Sequence, residues 1–246
     1  MTTAAIIQAR MGSTRLPGKV LMDLAGRPML EHVVRRVASA SKVDTVCVAT
    51  TTLERDDPVA DAAARFGAAV VRGSEADVLD RYAQAVRELS ADLVVRITSD
   101  CPLIDPQVVD EMLTAREALE VEHPVDCYCN TVERTFPRGL DTEIVPAPVL
   151  VALAGEASDP RAREHVTWEL YQHPDRYRVV SHLQAGGRDD SAHRWTVDTP
   201  EDFELMRRIF RALAERGPFG LAEVRALLDT HPDWIGINAH IEQKRT

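Results

Sequence analysis

The stretch "QARMGSTRLPGKV" at residues 8–20 gathers groups that can grip an anion: two glycines, two hydroxyls and a lysine directly after the second glycine. A Walker A loop needs four residues between its glycines, then Lys, a Ser or Thr, and a helix. Here five residues separate Gly12 from Gly18, and Val20 stands where the magnesium-binding hydroxyl belongs. Pro17 removes one of the backbone N–H groups such a loop points at phosphate. The loop is not a P-loop. It still offers Arg10, Arg15 and Lys19, with Ser13 and backbone amides around Gly12 and Gly18. Three cations on one loop are costly unless an anion joins them, and a triphosphate matches. The competing reading is a solvated basic turn.

Two carboxylates invite a second chemistry. Asp100 follows an apolar run in "VVRITSDCPLID", and Asp198 follows another in "RWTVDTPEDF". An acid at the end of a buried strand is well placed to hold magnesium, which takes oxygen ligands and keeps several waters. Two such aspartates could converge on one metal opposite the cationic loop, the arrangement phosphoryl chemistry needs. Asp105, just before Pro106, fits a turn or helix cap better.

The remaining composition narrows the class. The 246 residues carry a formal charge of −10, which argues against a general binder of nucleic acid or of an anionic membrane. Yet no acidic residue occurs from Met1 to Met22, and that basic island suits a small anionic ligand. Cys47, Cys101, Cys127 and Cys129 form no C-x-x-C pair and no zinc spacing, and read as reduced thiols of a cytoplasmic protein. Cys127 and Cys129 face the same side of a strand. No stretch approaches a membrane span, and no signal-peptide pattern opens the chain.

The elements that must position these residues alternate. "AAIIQA" (4–9), "VDTVCVAT" (43–50), "AAVVRG" (68–73) and "ADLVVRI" (91–97) read as strands. Helices are predicted from Pro28, through "DDPVADAAARFG" with Gly67 as its stop, over Asp77–Leu89, and from Pro106. The alternation implies an α/β fold with a mostly parallel sheet, whose ligands bind beyond the carboxyl ends of the strands. From about residue 125 the rhythm changes. "PVDCYCN", "GLDTEIV" and "RYRVVSHL" read as strands around a helical stretch at 160–173. The region 125–192 is a β-rich insertion or an excursion of the sheet. "HRWTVD" then reads as a strand before a strong helix capped by Thr199.

"IIQARMGSTRLPGKVLMDLAGRPML" resembles the signature of the cytidylyltransferases that make CMP-sugars, a group including CMP-Kdo synthetases, acylneuraminate cytidylyltransferases and spore coat polysaccharide biosynthesis relatives. The likeness is nearest to the last, because "VVRGSEADVLDRY", "VVRITSDCPLIDP", "FPRGLDTEI", "REHVT" and "RWTVDTPEDFELM" also follow its pattern, in order, over nearly the whole chain. The resemblance implies one Rossmann-like nucleotidyltransferase domain over 1–246, with 125–192 serving acceptor binding and dimerisation. It implies CTP and magnesium, attack by a sugar hydroxyl on the α-phosphate, and loss of pyrophosphate. By position, Arg10, Arg15 and Lys19 match the triphosphate loop, with Gln8, Ala9, Gly12 and Ser13 beside them. Asp100 and Asp198 match the magnesium-binding aspartates, and Arg72 and Ser74 fall where base and ribose are read. Arg15, Lys19 and Asp100 are the catalytic candidates. Arg138, Asp141, Glu143, Arg163 and His165 are acceptor-side candidates. Ser99-Asp100-Cys101 departs from the turn of the Kdo enzymes, so the Kdo pocket does not carry over.

Three rivals remain. A cytidylyltransferase with a phosphate or phosphonate acceptor needs a second anion site, which Arg138, Arg161 and Arg163 could supply. A sugar-nucleotide-dependent glycosyltransferase predicts a D-x-D motif, and "SDCP" has one aspartate. A non-catalytic binding protein has no use for both aspartates.

Overall fold

On the first strand, β1 (Thr3–Gln8), Ala5 and Ile7 point to one face and Ile6 to the other, and all three are fully buried. That is the pattern of a strand covered on both sides. The computed structural model describes residues 1–120, 124–214 and 217–243. Beyond β1, the strands are β2 (Asp23–Leu24), β3 (Arg27–Pro28), β4 (Thr45–Thr51), β5 (Ala69–Gly73), β6 (Leu93–Thr98), β7 (Cys127–Cys129), β8 (Glu143–Pro146) and β9 (Val179–Ser181). The helices are α1 (Met29–Ala38), α2 (Asp57–Arg65), α3 (Val78–Leu89), α4 (Pro106–Glu120), α5 (Ala147–Glu156), α6 (Pro160–Glu164), α7 (Trp168–Gln172), α8 (Pro200–Leu213), α9 (Leu221–Thr230) and α10 (Pro232–Ile235).

Seven strands form one sheet in the order β5-β4-β1-β6-β8-β7-β9, while β2 and β3 make a separate two-stranded ladder. β5, β4, β1 and β6 run parallel; β8 is antiparallel to both β6 and β7, and β9 is parallel to β7. The chain winds from β1 outward to β5, then returns to place β6 on the other side of β1. The direction of winding reverses between β1 and β6, where Gln8 is paired with Thr98. Such a reversal opens a crevice at the carboxyl ends of the strands. Helices α1, α4, α8 and α9 cover one face, and α3, α5, α6 and α7 the other.

The local chemistry of the elements follows from their sequences. Met29, Val33, Val34 and Val37 are buried along one side of α1, and Gly67 takes φ +85° just after α2. Asp105 caps rather than catalyses: its Oδ1 accepts from the Gln107 N–H at 2.8 Å and its Oδ2 from the Leu221 N–H at 2.6 Å. Thr199 and Asp202 form a reciprocal capping box on α8.

Three expectations need correction. The predicted strand at "HRWTVD" is an extended segment with a single bridge, Arg194 to Arg138. Its other backbone groups go to neighbouring segments: the Val197 N–H donates to the Asp100 carbonyl at 2.8 Å and the Trp195 N–H to the Arg138 carbonyl at 2.6 Å. The helical stretch 160–173 is two short helices, α6 and α7, parted at His165–Thr167. Third, the strands read from "GLDTEIV" and "RYRVVSHL" shorten to β8 and β9, which with β7 extend the main sheet. All four cysteines are buried free thiols.

Candidate active site

The loop after β1 is built from inside. The Gly18 N–H and the Ser13 N–H both donate to the Met11 carbonyl, at 3.1 and 2.9 Å, so neither amide is left for a ligand. Gly18 adopts φ +70°, a left-handed turn that suits glycine. The Met11 N–H donates to Oδ1 of Asp56 at 2.6 Å, and the other Asp56 oxygen takes the Thr51 hydroxyl. Asp56 is fully buried. It clamps the loop to the end of β4, a role the sequence did not betray.

From this base the loop reaches across the crevice. Lys19 Nζ lies 3.4 Å from Oδ2 of Asp100, 2.9 Å from Oδ1 of Asp198 and 2.6 Å from the Val197 carbonyl. Arg15 lies 3.0 Å from Oδ2 of Asp198. The three segments singled out from sequence therefore meet at one point. Asp198 is tied in place because Val197 and Thr196 bond to the Asp100 carbonyl. Gly139 lets the neighbouring segment close up: a Cβ there would come within 2.5 Å of the Trp195 backbone. Burial tends to lower the Lys19 pKa, but Asp100 and Asp198 outweigh it and raise it above 10.5. Burial likewise tends to raise the Asp198 pKa, yet Lys19, Arg15 and Arg194 hold it below 3.8. The two carboxylates already converge on one cation. Oxygen donors so placed fit a small hard divalent ion completed by water. Among the described residues no cluster of three His, Cys, Asp or Glu side chains adds to them.

The other loop candidates spread along the parallel half of the sheet. Arg10 pairs with Glu75 at 3.4 Å, and Arg55 shares that carboxylate. Arg72 donates from Nη2 to Asp57 at 2.6 Å and from Nε to the Thr51 carbonyl at 2.8 Å, while Ser74 is exposed. Ala9 is buried, and the Gln8 side-chain carbonyl accepts from Arg96 at 3.2 Å and from Tyr82 at 3.4 Å.

On the opposite side of Asp100 and Asp198, below β6 and β8, opens a cleft of 870 Å³. Arg138, Asp141, Glu143 and His165 line it; Arg163 does not, pairing instead with Asp77 at 3.3 Å. The lining candidates differ in freedom. Glu143 is buried and accepts from Arg96 at 2.6 Å, Tyr171 at 2.7 Å and Thr167 at 2.8 Å. Burial tends to raise its pKa, but Arg96 and the hydrogen bonds take it below 4.5. Asp141 accepts from both terminal nitrogens of the Arg134 guanidinium, at 2.6 and 3.2 Å. Arg138 makes no side-chain hydrogen bond or ion pair among the described residues, and burial, with Arg134 and Arg194 nearby and Asp141 opposing them, lowers its pKa below the usual guanidinium range. A half-buried guanidinium with no bonded carboxylate can pair with an anion. Arg96, Arg134 and Tyr171 escaped sequence reading, because nothing in their local pattern marks them as cleft-lining.

A crevice at the carboxyl ends of a mostly parallel sheet, lined by a cationic loop and two converging carboxylates, defines a nucleotidyltransferase. Residues 4–230 match the family described as cytidylyltransferase, and the chain belongs to that family. It is 34% identical over 234 residues to the spore coat polysaccharide biosynthesis protein SpsF of Bacillus subtilis (strain 168), covering 93% of this chain and 94% of that protein. It is 44% identical over 243 residues to the 3-deoxy-manno-octulosonate cytidylyltransferase of Anaeromyxobacter sp. (strain Fw109-5), covering 85% of this chain and 97% of that one. The solved structure of a cytidylyltransferase from Leptospira borgpetersenii serovar Hardjo-bovis (strain JB197) superposes with a TM-score of 0.89 at 30% identity, covering all of both chains. No helix among the described residues is long and apolar enough to cross a membrane.

Proposed function

We propose that the protein transfers CMP from CTP to a hydroxyl of an acidic or related sugar, with release of pyrophosphate. The observation that carries this reading is the placement of Lys19 between Asp100 and Asp198, two carboxylates that line the 870 Å³ cleft. The parallel half of the sheet takes the nucleotide: Arg10, Arg15 and Lys19 hold the triphosphate, and Arg72 and Ser74 lie toward base and ribose. The cleft takes the acceptor, with Arg138 on its anionic group and His165 and the Arg134-held Asp141 beside it. Glu143 and Gln8 act from behind, as the frame joining β1, β6 and β8.

Asp100 and Asp198 would hold magnesium, which when bound neutralises charge on the phosphate oxygens. The acceptor oxygen bonds to the α-phosphorus and its proton goes to water. The bond from that phosphorus to the bridging oxygen breaks, and pyrophosphate leaves with the electron pair. Lys19 and Arg15 exchange their carboxylate partners for the oxygens of the departing group, where negative charge builds. Residues 1–246 form one nucleotidyltransferase domain in this reading, working in the cytoplasm as a homodimer. Residues 125–192 provide both the acceptor side and the dimer contact; residues 121–123, 215–216 and 244–246 lie outside the described structure.

A phosphate acceptor held by Arg138, Arg161 and Arg163 is less well supported, since Arg161 pairs with Asp159 and Arg163 with Asp77. Thermal unfolding with each nucleoside triphosphate and magnesium tests the nucleotide: CTP raises the melting temperature more than ATP or GTP. Equal shifts from all four nucleotides remove the cytidine assignment. A screen of acidic sugars and sugar phosphates for CTP-dependent pyrophosphate release then identifies the acceptor.

A further inference from the structure

Three cations meet the Asp198 carboxylate, and they are not equivalent. Lys19, on Oδ1, and Arg15, on Oδ2, belong to the loop that the triphosphate recruits. Arg194 also reaches Oδ2, from Nη2 at 2.9 Å, but the rest of its guanidinium is anchored elsewhere. Its Nε donates to Oδ1 of Asp202 at 2.8 Å and its Nη2 to Oδ2 at 2.9 Å, while Nη1 donates to the Gln243 side chain at 2.6 Å. Asp202 is fully buried and accepts three further bonds, from the Asp198 N–H at 2.9 Å, the Thr199 N–H at 3.1 Å and Nδ2 of Asn238 at 2.8 Å. The same Asn238 nitrogen reaches the Arg194 carbonyl at 2.9 Å. A buried carboxylate with this many donors is fixed in azimuth, and it fixes the planar guanidinium it holds. Capping α8 needs only Thr199 and Asp202; it leaves the Arg194 and Asn238 contacts unexplained.

We propose that Arg194 is the positioning residue of Asp198. With Asp202 and Asn238 behind it, Arg194 retains Oδ2, so that Oδ1 is the oxygen given up to a divalent cation when Lys19 moves to the triphosphate. The segment after α10 thus orients a carboxylate of the site without touching substrate. This rests on the reading that Asp198 holds the cation. Outer partners that orient a metal ligand typically affect affinity or activity 10- to 100-fold.

The test uses Arg194→Met, Arg194→Lys and Asn238→Ala, with Asp198→Asn as reference. Direct Mn²⁺ binding is measured by electron paramagnetic resonance, beside the magnesium concentration for half-maximal pyrophosphate release and the KM for CTP at saturating magnesium. Arg194→Met weakens Mn²⁺ binding and raises the magnesium requirement about 10- to 100-fold. Arg194→Lys falls between Arg194→Met and the parent, Asn238→Ala shifts the same two quantities in the same direction, and the KM for CTP moves far less. If Arg194→Met does not fold, the other two variants carry the test. Parent-like Mn²⁺ binding and magnesium dependence in the folded variants, with Asp198→Asn defective in both, overturn the positioning role alone. Parent-like cation binding in Asp198→Asn overturns the underlying reading of the site.

Discussion

Lys19 Nζ lies 2.9 Å from Oδ1 of Asp198, although 179 positions separate the two residues. In the proposed reaction this contact is a resting state: the loop neutralises the carboxylates until a triphosphate and its cation take over both partners. Lys19→Ala should then lower kcat more than it raises the KM for CTP, by the ~2–4 kcal/mol typical of losing one transition-state stabiliser. Arg15→Lys should rescue only in part, since a point charge cannot copy the two-pronged grip of a guanidinium. Steady-state kinetics decide; wild-type kcat in Lys19→Ala would reduce the loop to a plain basic turn.

Asp100→Asn and Asp198→Asn should each cut kcat by orders of magnitude in proteins that still fold. The double variant should be little worse than either single one, because the two groups act as one unit. Fully additive losses would show that they share no cation.

Arg138 makes no side-chain hydrogen bond or ion pair among the described residues. Arg138→Ala should therefore raise the KM for an acidic acceptor by about 10- to 100-fold, the loss expected for a charge-assisted hydrogen bond. The melting shift given by CTP should persist. Equal weakening toward both substrates would move Arg138 out of the acceptor cleft.

A pH effect on stability follows from His32. Its Nε2 donates to the Leu24 carbonyl at 2.6 Å. Burial, seconded by Arg27 and Arg36, lowers its pKa below 6.5 despite that bond. The folded protein keeps the ring neutral while the unfolded chain protonates it, so stability present above pH 6.5 is lost as the pH falls from there toward the folded value. Urea midpoints at pH 7.5, 6.5 and 5.5 should fall in that order. His32→Gln, which can still donate to Leu24, should flatten the trend; an unchanged slope would assign the effect to other groups such as His182.

The parallel half of the fold was legible because its strands are short, largely apolar runs and its helices carry their buried residues at 3–4 spacing. The loop cations and both aspartates stood out for the same reason, as charges at the ends of apolar runs. Residues 193–198 misled because their β-branched and aromatic side chains suit a strand, while their backbone is claimed by Asp100 and Arg138. Glu143, an acceptor-side candidate in the sequence, is the hub of Arg96, Thr167 and Tyr171, partners that its local pattern does not announce. Asp56 and Asn238 bond to partners tens of positions away, which leave no local period to read. Arg194, in an extended segment, follows no helical or strand pattern that would pair it with Asp198 and Asp202.

The place of β1 in the sheet also sets a timetable. Each β6 residue follows its β1 partner by 90 positions, so the first strand emerges long before that neighbour exists. At synthesis rates of ~5–20 residues per second, that edge stands open for roughly 5 to 20 seconds. An unpaired apolar strand is a template for pairing with other chains. During that interval the nascent protein depends on shielding of the residues that later form its centre, and a substitution that slows synthesis before Leu93 lengthens the exposure.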